Sequence, residues 1–297
     1  MKSNYKRKSE TMKTLFNDNW KFLKSGLDST NEEALKDESL FTPVEIPHDW
    51  LVHDTNNLYE DSIGRYIKDF EKPEIPEGGH AFLYFDGVYM DSEVFVNGKK
   101  AGEWKYGYTS FFFEITDLLK DGVNRVLVVA RNQSPNTRWY SGAGIYRKVS
   151  LIVKPEDYIG IDGIYIHTDT VRQENGIGDF DLTVRSEIFS KNLGLKYHIS
   201  LFENDKNSKM VFSCEGDAQH LGDEGVTTRV EQVKLWDITS PNLYKFRAEL
   251  LQNGSVVDFE EFNIGFKDVE ITTDKGLFLN GRHVKLNGTC EHHDLGI

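Results

Sequence analysis

Apolar and polar residues alternate with a period of two along most of the chain, the signature of strands that bury one face. SEVFVNGKKAGEW (92–104) is the plainest case, with two alternating runs on either side of Asn97-Gly98. That dipeptide predicts a tight hairpin, because both positions tolerate positive φ. HAFLYFDGV (80–88) is densely apolar and predicts a buried strand, while WKFL (20–23) and NRVLVVARN (124–132) predict half-buried ones. Pro43 and Pro47 within TPVEIPHDW (42–50) cannot donate to a ladder and mark an edge. IGRYIKDF (63–70) alternates loosely enough for a second edge strand, and KPEIPEGG (72–79) is a loop held open by Pro and Gly. NEEALKDES (31–39) predicts one short surface helix, and YTSFFFEITDLLKDG (108–122) a strand running into a helical turn with Thr116 as N-cap and Gly122 closing it. No longer helical period interrupts this half, so a jelly-roll-like antiparallel sandwich follows.

VKPEDYIGIDG (153–163) combines a proline and two glycines after a strand and reads as a domain boundary. Beyond it the alternation resumes in IDGIYIHTDT (161–170), DFDLTVRSEIFS (179–190), LKYHISLFEN (195–204), KMVFSCE (209–215), TTRVEQVKLW (227–236), YKFRAELLQ (244–252) and SVVDFEEFNIG (255–265). Short strands at roughly ten-residue spacing predict an immunoglobulin-like sandwich. The last stretch, LFLNGRHVKLNGTCEHHDLGI (277–297), predicts a further hairpin on Asn280-Gly281, followed by a crowd of polar groups from Cys290 to Asp294.

Composition narrows the function. A chain of 297 residues with thirteen Tyr, nineteen Phe and five Trp fits two β domains, each able to bury its own core. Its net charge of −13 argues against a nucleic-acid partner, which would need clustered Lys and Arg. The basic run Lys6 to Lys8 lies in an N-terminal segment without apolar residues to bury, expected to be disordered. That segment lacks the apolar stretch of a signal peptide, and no run approaches a membrane span. A cytoplasmic location and no membrane partner are expected, the alternative being a secretion signal upstream of a mis-assigned start. Cys214 and Cys290 are too few for a disulfide framework and are expected reduced.

Three constellations could carry chemistry. In NTRWYSGAGIYRKVSL (136–151), Gly142 and Gly144 allow a tight turn close to a ligand, while Arg138, Trp139 and Tyr140 offer a bidentate donor and stacking faces suited to a pyranose. A glycine-bent loop with packed aromatics reads equally well from these residues. His48-Asp49-Trp50 places a base beside an acid, but no nucleophile is near, and a loop tied by the polar pair with Trp50 packed inside is the expectation. His292, His293 and Asp294 have the composition of a two-histidine, one-carboxylate metal site. Alternation along a strand turns His293 away from the other two, so no metal is expected.

EVFVNGKKAGEWKYGYTSFFFEITDLLKDGVNRVLVVARN (93–132), WYSGAGIYR (139–147), LWDITSPNLY (235–244), IGFKDVEI (264–271) and GTCEHHDLG (288–296) together resemble glycoside hydrolase family 2, the β-galactosidase and β-glucuronidase group. The resemblance implies an all-β front: a disordered segment (1–12), a sugar-binding jelly-roll-like β-sandwich (13–155), an immunoglobulin-like β-sandwich (156–266) and the first strands of a truncated (β/α)8 barrel (267–297). In that family two glutamates on later barrel strands perform retaining hydrolysis. The span from Lys267 is far short of the roughly 250 residues of a barrel. The chain is therefore expected to be the non-catalytic N-terminal part of a β-glycosidase, a β-galactosidase foremost, inactive alone and without a catalytic residue of its own. The alternative is a stand-alone carbohydrate-binding or adhesion module.

The resemblance turns the 138–147 loop toward the sugar and makes Arg138 and Trp139 candidate substrate contacts. Arg138 stands where related β-galactosidases carry an acid that helps hold sodium and galactose, so neither that metal nor that preference is carried over. LYED (58–61) makes Asp61 a further candidate, with a solvated loop acid as the other reading. His292 and Asp294 would lie near the substrate, and Lys267 replaces a usual arginine. No cofactor is implied. The expected partners are a β-glycoside, the catalytic barrel of the same protein and, as an open possibility, further copies of the chain. Without that barrel, 277–297 is expected to be poorly ordered or to take a partner strand.

Overall fold

The structure is a computed structural model that describes residues 12–52, 56–135, 141–206 and 208–290. It is nearly all β, with no closed barrel among the described residues. These residues form two compact units, built on Met12–Val153 and Lys154–Gly288.

The first unit contains β1 (Met12–Leu15), β2 (Trp20–Ser25), α1 (Asn31–Ala34), β3 (Thr42–Val44), β4 (Ser62–Glu71), β5 (His80–Phe85), β6 (Ser92–Val96), β7 (Lys99–Trp104), β8 (Phe111–Glu114), β9 (Val123–Asn132) and β10 (Val149–Lys154). Two antiparallel sheets of order β1-β10-β5-β8 and β3-β2-β4-β9-β6-β7 face each other. Between them lies a core of Trp20, Tyr66, Leu83, Phe85, Val94, Val96, Val126 and Val128. The Asn97-Gly98 hairpin forms as expected, with φ of 50° and 80°. The Pro43 strand lies at a sheet edge, beside β2 alone.

β4 departs from the edge position its sequence suggested: it runs between β2 and β9. Its two cations would have pointed to solvent on an edge, but both are buried and partnered. Arg65, 1% exposed, donates from Nε to Asn31 Oδ1 (2.7 Å), from Nη1 to the Ser25 and Ser29 hydroxyls and from Nη2 to the Ser29 carbonyl (2.6 Å). Lys68 Nζ donates to the Phe16 carbonyl (2.9 Å) and lies 3.7 Å from the centroid of the Phe16 ring. A charged side chain with such partners is tolerated inside.

The single helix expected over 31–39 is divided. α1 carries a complete capping box, Thr30 with Glu33, and a separate 3-10 turn covers Glu38–Leu40. The helical turn after β8 is a 3-10 turn, Thr116–Leu118, with Ile115 at its boundary and no side-chain cap, so Thr116 lies inside the turn. The Thr116 hydroxyl instead accepts from the Ala81 amide and donates to Glu114.

The second unit contains β11 (Tyr158–Glu174), β12 (Ile177–Phe189), β13 (Lys196–Glu203), β14 (Met210–Asp217), α2 (Ala218–Asp223), β15 (Val226–Lys234), β16 (Tyr244–Gln252) and β17 (Ser255–Ile264). The sheets β11-β12-β15 and β14-β13-β16-β17 enclose Phe180, Leu182, Ile199, Leu201, Phe246, Leu250 and Phe266. Asn175-Gly176 and Asn253-Gly254 close two hairpins with positive φ at all four residues. The Lys154 ammonium is buried against Asp258 (3.1 Å) and Glu260 (2.6 Å), and Asp258 also accepts from the Ile159 amide.

A third, three-stranded sheet follows, made of β18 (Val269–Thr272), β19 (Gly276–Leu279) and β20 (Arg282–Val284). The Asn280-Gly281 hairpin is present, with φ of 52° and 74°. Of the two expectations for this stretch, poor order or a partner strand, the described residues show the strand: β18 pairs along β19.

Candidate functional site

The site begins with Ser141–Tyr146, a glycine-rich segment whose backbone is anchored on several sides. Gly144 exchanges two hydrogen bonds with Tyr89, both 2.9 Å. The Ile145 carbonyl accepts from the His48 amide, the Ala143 carbonyl from the Trp50 amide, and Asp49 Oδ1 accepts from the Ala143 amide (3.1 Å). Gly144 has φ of 133°, and a side chain there would strike the His48 carbonyl and the Tyr66 hydroxyl. Only glycine lets the loop come this close.

His48, Asp49 and Trp50 are the supports of this loop, as their structural reading anticipated. Asp49 Oδ1 also accepts from the amides of Leu51 (2.9 Å) and Val52 (3.4 Å). The Tyr66 hydroxyl meets His48 Nδ1 at 2.8 Å, and burial pushes its ionisation well above the ordinary tyrosine value. Trp50 donates to Ser62 (3.0 Å), which donates to Glu60 (3.0 Å), and the Glu60 carbonyl accepts from Asn132 (2.7 Å).

Asp61 is exposed beside this chain of bonds, and its Oδ1 accepts from the Ser134 amide at 2.6 Å. The structure therefore brings the 57–62 loop against Ser134, two residues beyond β9. Arg138 and Trp139 fall outside the described residues, as do His292 and Asp294. Among the described residues, no three His, Cys, Asp or Glu side chains converge to hold a metal ion.

Four tyrosines flank the glycine segment, a feature the sequence analysis overlooked. The Tyr146 hydroxyl donates to the Gly107 carbonyl (2.8 Å), the Tyr89 ring packs where a side chain on Gly107 would be, and Tyr108 meets Tyr89 edge-on at 5.2 Å. Tyr106, 58% exposed, meets Tyr108 edge-on at 5.8 Å, and Arg147 lies 5.0 Å above the Tyr146 ring. Burial, then the neighbouring Tyr89, raises the Tyr108 hydroxyl to about 12, so it stays protonated as a donor at neutral pH. KYGYTS (105–110), two tyrosines about a glycine between strands, was the available signal. Exposed rings, phenolic hydroxyls and a guanidinium are the groups that stack on and hydrogen-bond to a sugar.

Fold and site together define two successive β-sandwiches, the first carrying a glycine-rich segment beside a cluster of tyrosines. The sequence model described as the sugar binding domain of glycosyl hydrolases family 2 matches residues 27–155, and that of glycosyl hydrolases family 2 itself matches 159–267. The chain belongs to glycosyl hydrolases family 2. It is 33% identical to a β-galactosidase of Bacteroides ovatus over 95% of this chain and 34% of that protein. It is 32% identical to a β-glucuronidase of Bacteroides fragilis over 84% of this chain and 38% of that one. Among solved structures, a β-glycosidase from Bacteroides vulgatus aligns with a TM-score of 0.80 and 25% identity, covering 95% of this chain and 37% of that one. The chain thus spans about a third of the length of these relatives.

Proposed function

We propose that these residues are the sugar-binding, non-catalytic front of a retaining β-glycosidase that removes terminal β-linked sugars, a β-galactoside first among them. The reading is carried by the two consecutive family matches, which run through nearly all of both sandwiches. The acids flanking the glycine loop support it, since Asp49 and Asp61 both hold backbone amides rather than standing as an acid and nucleophile pair. In this reading Arg138 and Trp139 contact the sugar, with Asp61 bracing the loop edge, and His292 and Asp294 lie close to it. In this reading the hydrolysis itself falls to glutamates of the family's barrel rather than to any residue of the two sandwiches.

The purified chain should not hydrolyse nitrophenyl β-galactoside, and turnover would overturn the non-catalytic assignment. Galactose should bind weakly, in the millimolar range, and Trp139→Ala should weaken it about tenfold through lost stacking. The β-glucuronidase relative favours a second reading, in which the guanidinium of Arg138 meets a carboxylate. Glucuronate binding more tightly than galactose, with the difference abolished by Arg138→Ala, would select it.

A further inference from the structure

The dipeptide Asn-Gly occurs five times in the chain, and four of the pairs close hairpins: 97–98, 175–176, 253–254 and 280–281. Chemically each is labile, because a glycine amide nitrogen unshielded by a Cβ can reach the carboxamide carbon of the asparagine before it. The backbone does not tell the four hairpins apart: φ is 50° to 52° at each asparagine and 74° to 80° at each glycine. Crowding does not either. A Cβ on Gly98, Gly176 or Gly254 would meet nothing within 4 Å, and one on Gly281 only Gln173 Nε2, at 4.0 Å.

The asparagine side chains differ sharply. Asn97 is held at both ends: Oδ1 accepts from the Arg125 amide (3.0 Å), and Nδ2 donates to the Leu118 carbonyl and to Asn124 Oδ1, both at 2.8 Å. Asn280 Oδ1 accepts from the Asp268 amide and its Nδ2 donates to the Trp236 carbonyl, both at 3.0 Å. Asn175 makes one long bond, 3.5 Å to Glu174 Oε1. Asn253 is exposed, and among the described residues its carboxamide has no hydrogen bond. We propose that Asn253 is the hairpin position at which this chain modifies itself by deamidation. The Gly254 nitrogen forms a bond to Asn253 Cγ and gives up its proton, the Cγ–Nδ2 bond breaks and ammonia leaves, and water opens the resulting succinimide to aspartate or isoaspartate. Isoaspartate routes the main chain through Cβ, which lengthens the turn between Gln252 and Ser255 and adds a negative charge. At 97 and 280 the same attack requires Cγ to swing out of bonds to distant backbone, and each bond broken slows it about fivefold.

The test is a time course of the folded 297-residue chain in mildly alkaline buffer, read by peptide mass mapping with isoaspartate-specific enzymatic labelling. Asn287-Gly288, outside any strand, is the unconstrained reference. Asn253 should react at a rate close to that of Asn287, with Asn280 roughly 25-fold and Asn97 roughly 100-fold slower than Asn253, and Asn175 in between. Asn253→Gln should remove the fast hairpin signal and leave the other four sites unchanged. The same time course in urea separates tertiary protection from local sequence, because there the four hairpin pairs should converge to within a few-fold. Equal rates at 97, 253 and 280 in the folded chain overturn the proposal, as does an order of rates that persists unchanged in urea.

Discussion

Gly144→Ala tests whether the glycine loop is held by its backbone contacts. At φ of 133° an L-residue adopts a region it rarely enters, which costs about 1–3 kcal/mol. The new Cβ would also be driven into the His48 carbonyl and come within 2.5 Å of the Tyr66 hydroxyl. Neither neighbour yields easily, because the Tyr66 ring is fully buried and the His48 backbone is bonded to Ile145. Overpacking of this kind adds about 1–3 kcal/mol, for a total near 4 kcal/mol. In a unit of this size that lowers the melting temperature by roughly 10 °C. Gly98→Ala is the control: its φ is also positive, at 80°, but nothing lies within 4 Å, so only about 1 kcal/mol should be lost. Thermal and urea unfolding of the three proteins decides the matter. A Gly144→Ala protein no less stable than Gly98→Ala would refute the argument that close approach fixes the loop.

Lys68 gives a pH signature, because burial lowers its pKa from 10.5 to about 8. Between those values the unfolded chain binds more protons than the folded one, so stability should rise with pH across that window, by about 2 kcal/mol once solvent screening reduces the ~3.4 kcal/mol of the full shift. Lys68→Met should flatten this rise in urea midpoints measured from pH 7.5 to 10.5, and an unchanged slope would assign it elsewhere. Asp258→Asn weakens the partnership of a fully buried ammonium and should cost about 3 kcal/mol in urea unfolding. Lys154→Met in the Asp258→Asn background should recover part of that loss, and strictly additive losses would show the pair uncoupled. Tyr106→Ala, on the exposed end of the tyrosine cluster, should leave stability within about 0.5 kcal/mol of wild type. The same substitution should reduce galactose binding several-fold by titration, and unchanged binding would exclude Tyr106 from the site.

Strand positions, turns and fold class were legible along the chain because each rests on local rules. Period-two alternation marks which faces can be buried, and Asn-Gly pairs at 97, 253 and 280 close hairpins because adjacent positive φ is a property of those residues wherever they occur. The supports of the site were partly legible too: Asp49 and Trp50 were expected to tie and pack a loop. Sequence also supplied the motifs that tie the chain to its family.

Tertiary structure decided what depends on partners remote in sequence. β4 became a central strand because Ser25, Ser29 and Asn31 satisfy Arg65 and the Phe16 carbonyl satisfies Lys68, acceptors that no pattern within 63–70 reveals. Tyr89, Tyr106, Tyr108 and Tyr146 became one cluster only where the chain folded Gly107 onto Tyr89 and Gly144 against the His48 carbonyl. Propensity and turn chemistry act over a few residues, whereas burial of a charge or assembly of a binding surface is settled by which distant groups arrive to meet it.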